Sequence, residues 1–99
     1  MQYRIEFRPA ALRDMRHIHN PFKRRLLAAI AALADTPRPP GSKQLQGQDG
    51  FHRVRVGDYR IVYLIEDRVL LICVVRIAHP SIPARRDSGQ ARKDVYRGL

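Results

Sequence analysis

The sequence predicts one α+β domain in which an α-helical hairpin packs on one face of a mainly antiparallel sheet. Three features of the 99-residue chain support this prediction. Apolar residues alternate with charged ones near the N-terminus, then recur at helical spacing, and finally form β-type runs after residue 50. The expected order is therefore a strand, two helices and a three-stranded meander.

The first strand is expected at residues 3–7, where apolar and charged residues alternate. Pro9 follows and suits the first turn of a helix, because its missing N–H has no partner there. This helix should end at Asn20-Pro21, since the residue before a proline disfavours the α region. Its apolar stripe consists of Leu12, Met15 and Ile18.

A second helix should begin at once, with Asn20 as its N-cap and Pro21 at its first position. Thr36-Pro37 is expected to end it. Its apolar stripe has the spacing i, i+4, i+8, i+11 and consists of Phe22, Leu26, Ile30 and Leu33.

Residues 36–50 form a long polar loop in which Leu45 is the expected core anchor. Three strands should follow, at about 51–56, 59–65 and 69–77. The third is apolar from Val69 to Val75, which indicates an interior strand.

The first two of these strands form a hairpin if Gly57-Asp58 is a two-residue turn with positive φ at Gly57. Arg53, Arg55 and Arg60 then share one face of the hairpin. Like charges opposite each other destabilise a sheet, so we expect an anion on this face, and phosphate is the best candidate. The paired residues are Val56 with Tyr59, Arg55 with Arg60, and Val54 with Ile61.

The charge balance favours a polyanionic partner, although a basic solvated surface is the alternative. Nineteen Lys and Arg against nine Asp and Glu give a formal net charge of +10. The lone Cys73 lies in an apolar run, so it is expected to be buried, and the absence of a disulfide pair fits the cytoplasm. No membrane-length apolar run, signal-peptide pattern or metal-ligand spacing is present, so no membrane, metal or cofactor is expected.

Three segments together resemble the RelE/ParE-type toxins of bacterial type II toxin–antitoxin systems. The resemblance extends over roughly residues 3–79 and implies a RelE-like fold and a cognate antitoxin partner. Residues 1–79 are then one toxin domain and 80–99 a basic tail. The segments are Lys43-Gln44-Leu45-Gln46-Gly47, the string Arg53-Val54-Arg55-Val56-Gly57-Asp58-Tyr59-Arg60-Ile61-Val62-Tyr63, and Arg76-Ile77-Ala78-His79.

The tail departs from the family pattern. RelE-type toxins often follow the last strand with an arginine and a Val-Tyr pair, whereas Pro80 follows His79 here and Arg92 to Tyr96 stand a dozen residues later. Two interpretations stay open. Residues 80–91 are either an inserted loop that lets Arg92 and Tyr96 return to the site, or part of a degenerate tail.

The resemblance implies a ribosome-dependent endoribonuclease that cleaves mRNA in the A site with the RNA 2′-hydroxyl as nucleophile. Arg55 and Arg60 are expected to stabilise the charged phosphorane, since guanidinium groups match phosphate oxygens. The candidates for proton transfer are Tyr96, His79 and His52. The alternation of the strand favours a packed position for His52, and the alternative for His79 is that it caps the last strand. The RNA contacts are expected from Lys43, Arg53, Arg55, Arg60, Arg76 and Arg92.

Two other functions fit the same resemblance. The ParE branch implies a protein that inhibits DNA gyrase and performs no RNA chemistry. The altered sequence after His79 also permits a toxin-derived binding module without activity. The concentration of arginines in the hairpin favours RNA cleavage over gyrase inhibition, and the inactive module stays open.

Overall fold

The computed structural model describes residues 2–47 and 50–79, and it shows two helices on one side of a five-stranded sheet. The α+β class and the placement of the helical hairpin on one sheet face are confirmed. Along the chain the elements are β1 (Arg4–Phe7), α1 (Pro9–Arg16), α2 (Asn20–Leu33), β2 (Lys43–Gln44), β3 (Phe51–Val56), β4 (Tyr59–Glu66) and β5 (Leu71–Ala78).

The strands lie in the order β1-β5-β4-β3-β2. The pairs β2–β3, β3–β4 and β4–β5 are antiparallel, whereas β1 runs parallel to β5. β5 is therefore an interior strand, as its continuous apolar sequence predicts. The two-residue strand β2 was not predicted; it lies in the polar loop and pairs Lys43 with Arg53.

The hairpin of β3 and β4 has the predicted register, with Val56 opposite Tyr59 and Arg55 opposite Arg60. Gly57 has φ +61° and is the first of the two turn residues. A glycine with positive φ at this position is typical of a type II′ turn, whose twist matches that of the flanking strands. The turn thus sets which residues share each face of the hairpin.

The sheet buries apolar side chains on both faces. The larger core lies between the sheet and the helices. A smaller cluster on the other face contains Phe51, Leu64, Cys73 and Val75, with Leu45 packed against it. Leu45 is thus the loop anchor predicted from the sequence. Burial raises the pKa of the Cys73 thiol, which fits a packed side chain rather than a reactive one.

Four details of the helices differ from the sequence prediction. α1 ends at Arg16, four residues before the predicted boundary at Asn20-Pro21. The N-cap of α2 is His19 rather than Asn20, because the chain enters the helix one residue earlier. Leu12 is 47% exposed because Ala11 takes the place against the core. Phe22 is 44% exposed and contacts the ring of Tyr59 instead of the helical core, with 5.9 Å between ring centroids.

The last strand begins later than its sequence pattern predicts. A 3-10 turn occupies Asp67–Val69, and Leu70 adopts a left-handed conformation with φ 52° before β5 begins. Apolar periodicity does not distinguish such a turn from a strand, so Val69 was wrongly included in the strand. No helix in the described part of the chain is long and apolar enough to cross a membrane.

Candidate nucleic-acid interface

Four cationic side chains share the sheet face opposite the helices. They are Lys43, Arg53, Arg55 and Arg60, and we call them the cation face. Arg55 lies directly opposite Arg60, and Lys43 directly opposite Arg53. This arrangement follows from the two-residue alternation of strands, which puts Val54 and Val56 in the helix-side core and the arginines on the other side.

The side chains of Arg55 and Arg60 leave the backbone at points that lie unusually close together. The turn closes with a hydrogen bond between the Val56 and Tyr59 backbones, so the next pair out is a non-hydrogen-bonded one. In such pairs the Cα atoms lie only about 4.5 Å apart and the side chains are closest. Both arginines are exposed, so their guanidinium groups can reach one anion together.

No acidic residue neutralises the cation face within the described ranges 2–47 and 50–79. The ion pairs of that part of the chain all lie elsewhere: Arg4–Glu6, Arg38–Asp67 and Arg76–Asp14. The charge of the cation face is therefore available to an external anion. Guanidinium groups with free donors bind phosphate oxygens in a bidentate way.

Arg76, which the sequence predicts to contact RNA, is bound to α1. Its Nε and Nη2 atoms donate to the two carboxylate oxygens of Asp14 at 2.8 and 3.1 Å. The backbone N–H of Ile77 donates to the same carboxylate at 2.8 Å. β1 pairs with β5 only as far as Val74, so it provides no acceptor for the Ile77 N–H, and the Asp14 carboxylate takes that role. In the described residues Arg76 joins α1 to the end of β5.

His79 lies one residue beyond Ala78, the partner of Arg60 in the sheet. Its ring packs on Tyr59 with 4.7 Å between centroids, on the side of α2. The structure therefore brings Arg55 and Arg60 together but turns the ring of His79 away from them. Tyr59 and Arg60 are successive strand residues and point to opposite faces.

His52 is buried, as predicted, with only 7% of its surface exposed. Its Nδ1 lies 3.1 Å from the carbonyl oxygen of Gly50, and its ring stacks on Tyr63. The hydroxyl of Tyr63 in turn donates to the Pro37 carbonyl oxygen at 2.8 Å, and burial raises the pKa of this tyrosine. Both rings are part of the packing between the sheet and the polar loop.

A cavity of about 230 Å³ opens between α2 and the tip of the β3–β4 hairpin. Aromatic rings, an arginine and an aspartate line it together. Apart from His79, none of its polar residues was predicted as a site residue from the sequence, because the lining residues of α2 precede those of the hairpin tip by thirty positions or more and only the fold joins them. Its lining consists of Phe22, Arg25, Leu26, Val56, Gly57, Asp58, Tyr59 and His79.

Arg92 and Tyr96, the other predicted site residues, lie outside the described residues. Within the described ranges, no group of three or more His, Cys, Asp or Glu residues is placed to hold a metal ion. The described residues offer a cation face on one side of the sheet and a small aromatic cavity on the other.

Comparison with known proteins gives a family match and a shared fold. Residues 5–82 match the family model described as the ParE toxin of type II toxin–antitoxin systems, parDE. A RelE-like toxin protein assigned in Escherichia coli is 26% identical over 97 residues, which cover 97% of this chain and 92% of that protein. A protein of Methanocaldococcus jannaschii named as a candidate RelE toxin is 27% identical over 77 residues, or 73% of this chain and 86% of that protein.

Two solved structures illustrate the likeness of fold. A mutant of the Escherichia coli toxin RelE in the free state superposes with a TM-score of 0.77 at 21% identity and covers 96% of this chain and 99% of its own. The archaeal RelE–RelB complex from Pyrococcus horikoshii gives a TM-score of 0.73 at 22% identity, with 83% and 99% covered. At these identities the structures establish the fold.

Proposed function

We propose a function that starts from one premise: this chain belongs to the ParE toxin family of type II toxin–antitoxin systems. Within that family, we propose that it cleaves mRNA bound to the ribosome, as a metal-independent endoribonuclease that stops translation. The observation that supports this choice is the cation face, where four basic side chains stand together without an ion-paired carboxylate among the described residues. Two opposed arginines match the oxygens of one phosphate group, which is the group that RNA cleavage must stabilise.

In the proposed reaction the 2′-hydroxyl of the RNA attacks the adjacent phosphate, and the 5′-oxygen of the next nucleotide leaves. Negative charge grows on the non-bridging oxygens as the phosphorane forms. Arg55 and Arg60 hold these oxygens from two neighbouring strands, whose register sets the spacing of the two residues before the charge develops. Arg53 and Lys43, opposite each other on β3 and β2, bind the flanking phosphates.

Proton transfer needs a group other than these arginines, because a guanidinium stays protonated at neutral pH. The ring of His79 packs on Tyr59 at 4.7 Å, toward α2 and away from Arg60. We therefore assign proton transfer to Tyr96. In this proposal residues 1–79 form the toxin domain and the basic tail 80–99 supplies Arg92 and Tyr96.

The proposed partners follow from the same function. Several solved structures of similar fold are complexes of RelE with RelB, among them one from Mycobacterium tuberculosis with a TM-score of 0.68. We propose that an antitoxin, acidic or carrying an amphipathic helix, binds this chain and covers the cation face. The other partners are the ribosome and mRNA in the A site, which places the activity in the cytoplasm.

The test is to express the protein in bacteria and map the ends of mRNA on stalled ribosomes. Wild-type protein should give cuts within the A-site codon, and Arg60→Ala should reduce them by about 100-fold, the usual effect of losing one donor to a developing oxyanion. Arg24→Ala is the matched control, since Arg24 is an exposed arginine of α2 away from the cation face. Intact mRNA in cells that make stable wild-type protein contradicts the proposal.

Inhibition of DNA gyrase is the second candidate, because the matching family model carries the ParE description. This function predicts double-strand DNA breaks and an SOS response while mRNA stays intact. A toxin-derived binding module without activity predicts neither effect. Measuring DNA breaks and mRNA ends in the same culture distinguishes the three functions.

A further inference from the structure

The cavity at the hairpin tip has the walls of a site for a flat aromatic ligand. The ring of Tyr59 contacts that of His79, with 4.7 Å between centroids, and that of Phe22, with 5.9 Å between centroids. Phe22 is 44% exposed, although an apolar residue of this size is normally buried in the core. Exposed aromatic rings grouped around a concave surface offer faces on which a planar ring can stack.

The polar residues of the cavity carry opposite charges and do not pair with each other. Arg25 and Asp58 both line it, yet neither takes part in any ion pair among residues 2–47 and 50–79. A carbon placed at the Cβ position of Gly57 would lie 3.9 Å from the Nη2 atom of Arg25, so the guanidinium lies beside the hairpin turn. A donor and an acceptor thus stand at one cavity, each open to a ligand.

We propose that this cavity binds a nucleobase, and that guanine fits it best. Arginine forms paired hydrogen bonds with the N7 and O6 atoms of guanine. A carboxylate accepts two hydrogen bonds at once, which matches the N1–H and N2–H donors on another edge of the same base. The volume of about 230 Å³ is below the range usual for drug-sized ligands and suits a single base with its sugar and phosphate outside.

This proposal goes beyond mRNA cleavage and does not depend on it. The cavity lies on the α2 side of the hairpin, whereas the cation face lies on the other side. Tyr59 lines the cavity, and Arg60, the next residue of the strand, belongs to the cation face. A nucleotide can therefore occupy the cavity without any contact to Arg55 or Arg60. The same pocket would bind its base in a gyrase inhibitor or in an inactive binding module.

The experiment is an NMR titration of the full chain, without ribosomes, in which the ring signals of His79 and the tyrosines are followed. The ligands are the 5′-monophosphates of guanosine, adenosine, cytidine and uridine, with ribose 5-phosphate as the probe that lacks a base. We expect GMP to bind at least about fivefold more tightly than the other three and to shift the His79 ring. Ribose 5-phosphate should leave these ring signals unchanged.

Variants at exposed positions identify the hydrogen bonds without disturbing the core. Asp58→Asn should remove the preference for GMP, and Arg25→Ala should weaken GMP binding by about fivefold or more. Arg24→Ala is the matched control on the same helix and should bind GMP like the wild type.

Two results would overturn the proposal. The first is GMP binding no tighter than ribose 5-phosphate, and the second is an equal loss in the Arg24 and Arg25 variants, which would indicate general attraction of phosphate to a basic helix. Ribosomal mRNA cleavage is measured separately with the Arg60 variant. A protein that does not cleave mRNA can therefore still bind GMP in the titration, and a protein that does not bind GMP can still cleave mRNA.

Discussion

Replacing Asp14 by alanine should be among the most destabilising single changes outside the apolar core. The carboxylate receives two hydrogen bonds from the Arg76 guanidinium and a third from the Ile77 backbone, all between 2.8 and 3.1 Å. The side chains of Arg76 and Asp14 are only 25% and 14% exposed. The variant therefore removes the Asp14 carboxylate from a cation and an amide that are both partly shielded from water.

The expected cost can be estimated from these contacts. Removing one partner of a fully buried ion pair costs about 3–5 kcal/mol. Partial exposure lets water reach the stranded groups, so we expect a loss near the lower end, about 3 kcal/mol in the free energy of unfolding. With an unfolding entropy of about 2.1 cal/mol/K per residue, this corresponds to a fall of about 14 °C in Tm for a chain of this length.

The assay is a double-mutant cycle of urea denaturation with Asp14→Ala, Arg76→Ala and both changes together. A coupling energy of about 2–3 kcal/mol is expected for this pair. The matched control is the Arg4–Glu6 pair, whose side chains are 66% and 53% exposed and whose N–O distance is 3.3 Å. Exposed pairs of this kind contribute about 0–1 kcal/mol.

Equal coupling in the two cycles would refute the reasoning. It would mean that α1 is held on β5 by apolar packing alone and that the Asp14–Arg76 pair stabilises the protein no more than an exposed ion pair does. A large coupling together with an unchanged Tm for Asp14→Ala would be equally inconsistent, because the stranded amide of Ile77 must then have found another acceptor.

Three further predictions concern single positions. Gly50→Ala should lower the free energy of unfolding by about 2 kcal/mol, since φ is +81° and the new Cβ would lie 2.9 Å from a core leucine. Gly47→Ala, with φ +72° and open space around it, should lower it by about 1 kcal/mol. Equal losses for the two variants in urea denaturation would contradict this prediction. The hydrogen bond from Arg38 lowers the pKa of Asp67, so its stabilisation is present above pH 3.8 and is lost as the pH falls through the lowered pKa of the folded state. Acid unfolding of Asp67→Asn should accordingly depend less steeply on pH in this window, and identical curves would exclude the effect. Arg55→Ala should reduce the slope of log K against log salt for single-stranded RNA by about 0.7, as measured by anisotropy, and an unchanged slope would show that Arg55 contacts no phosphate.

The β3–β4 hairpin could be predicted in full from the sequence because its determinants are local. Gly57 allows the positive φ of the turn, and the alternation of valine and arginine then determines the register and both faces. The common face of Arg53, Arg55 and Arg60 followed without any knowledge of the rest of the chain, whereas the place of Lys43 on that face did not.

The features that sequence reasoning missed depend on contacts between distant segments. β2 has no apolar pattern, and it is a strand only because its backbone pairs with that of β3. The ion pair of Arg76 with Asp14, 62 residues earlier, could not be predicted from the sequence, and the RNA contact of Arg76 stays a prediction. His79 was grouped with Arg60 for a similar reason, since the direction of its ring is set by the packing of Tyr59 near α2.

The parallel pairing of β1 with β5 has a consequence for how the protein is made. Residues 4–7 leave the ribosome early, yet their partners, residues 71–74, are synthesised 67 positions later. At a synthesis rate of about 5–20 residues per second, this delay is roughly 3–13 s. The helices and the β3–β4 hairpin depend on nearer neighbours and can form during this interval, whereas the sheet closes only when β5 emerges. The first strand to be synthesised is therefore the last to gain its partner, and the complete toxin fold cannot exist on the ribosome before that moment.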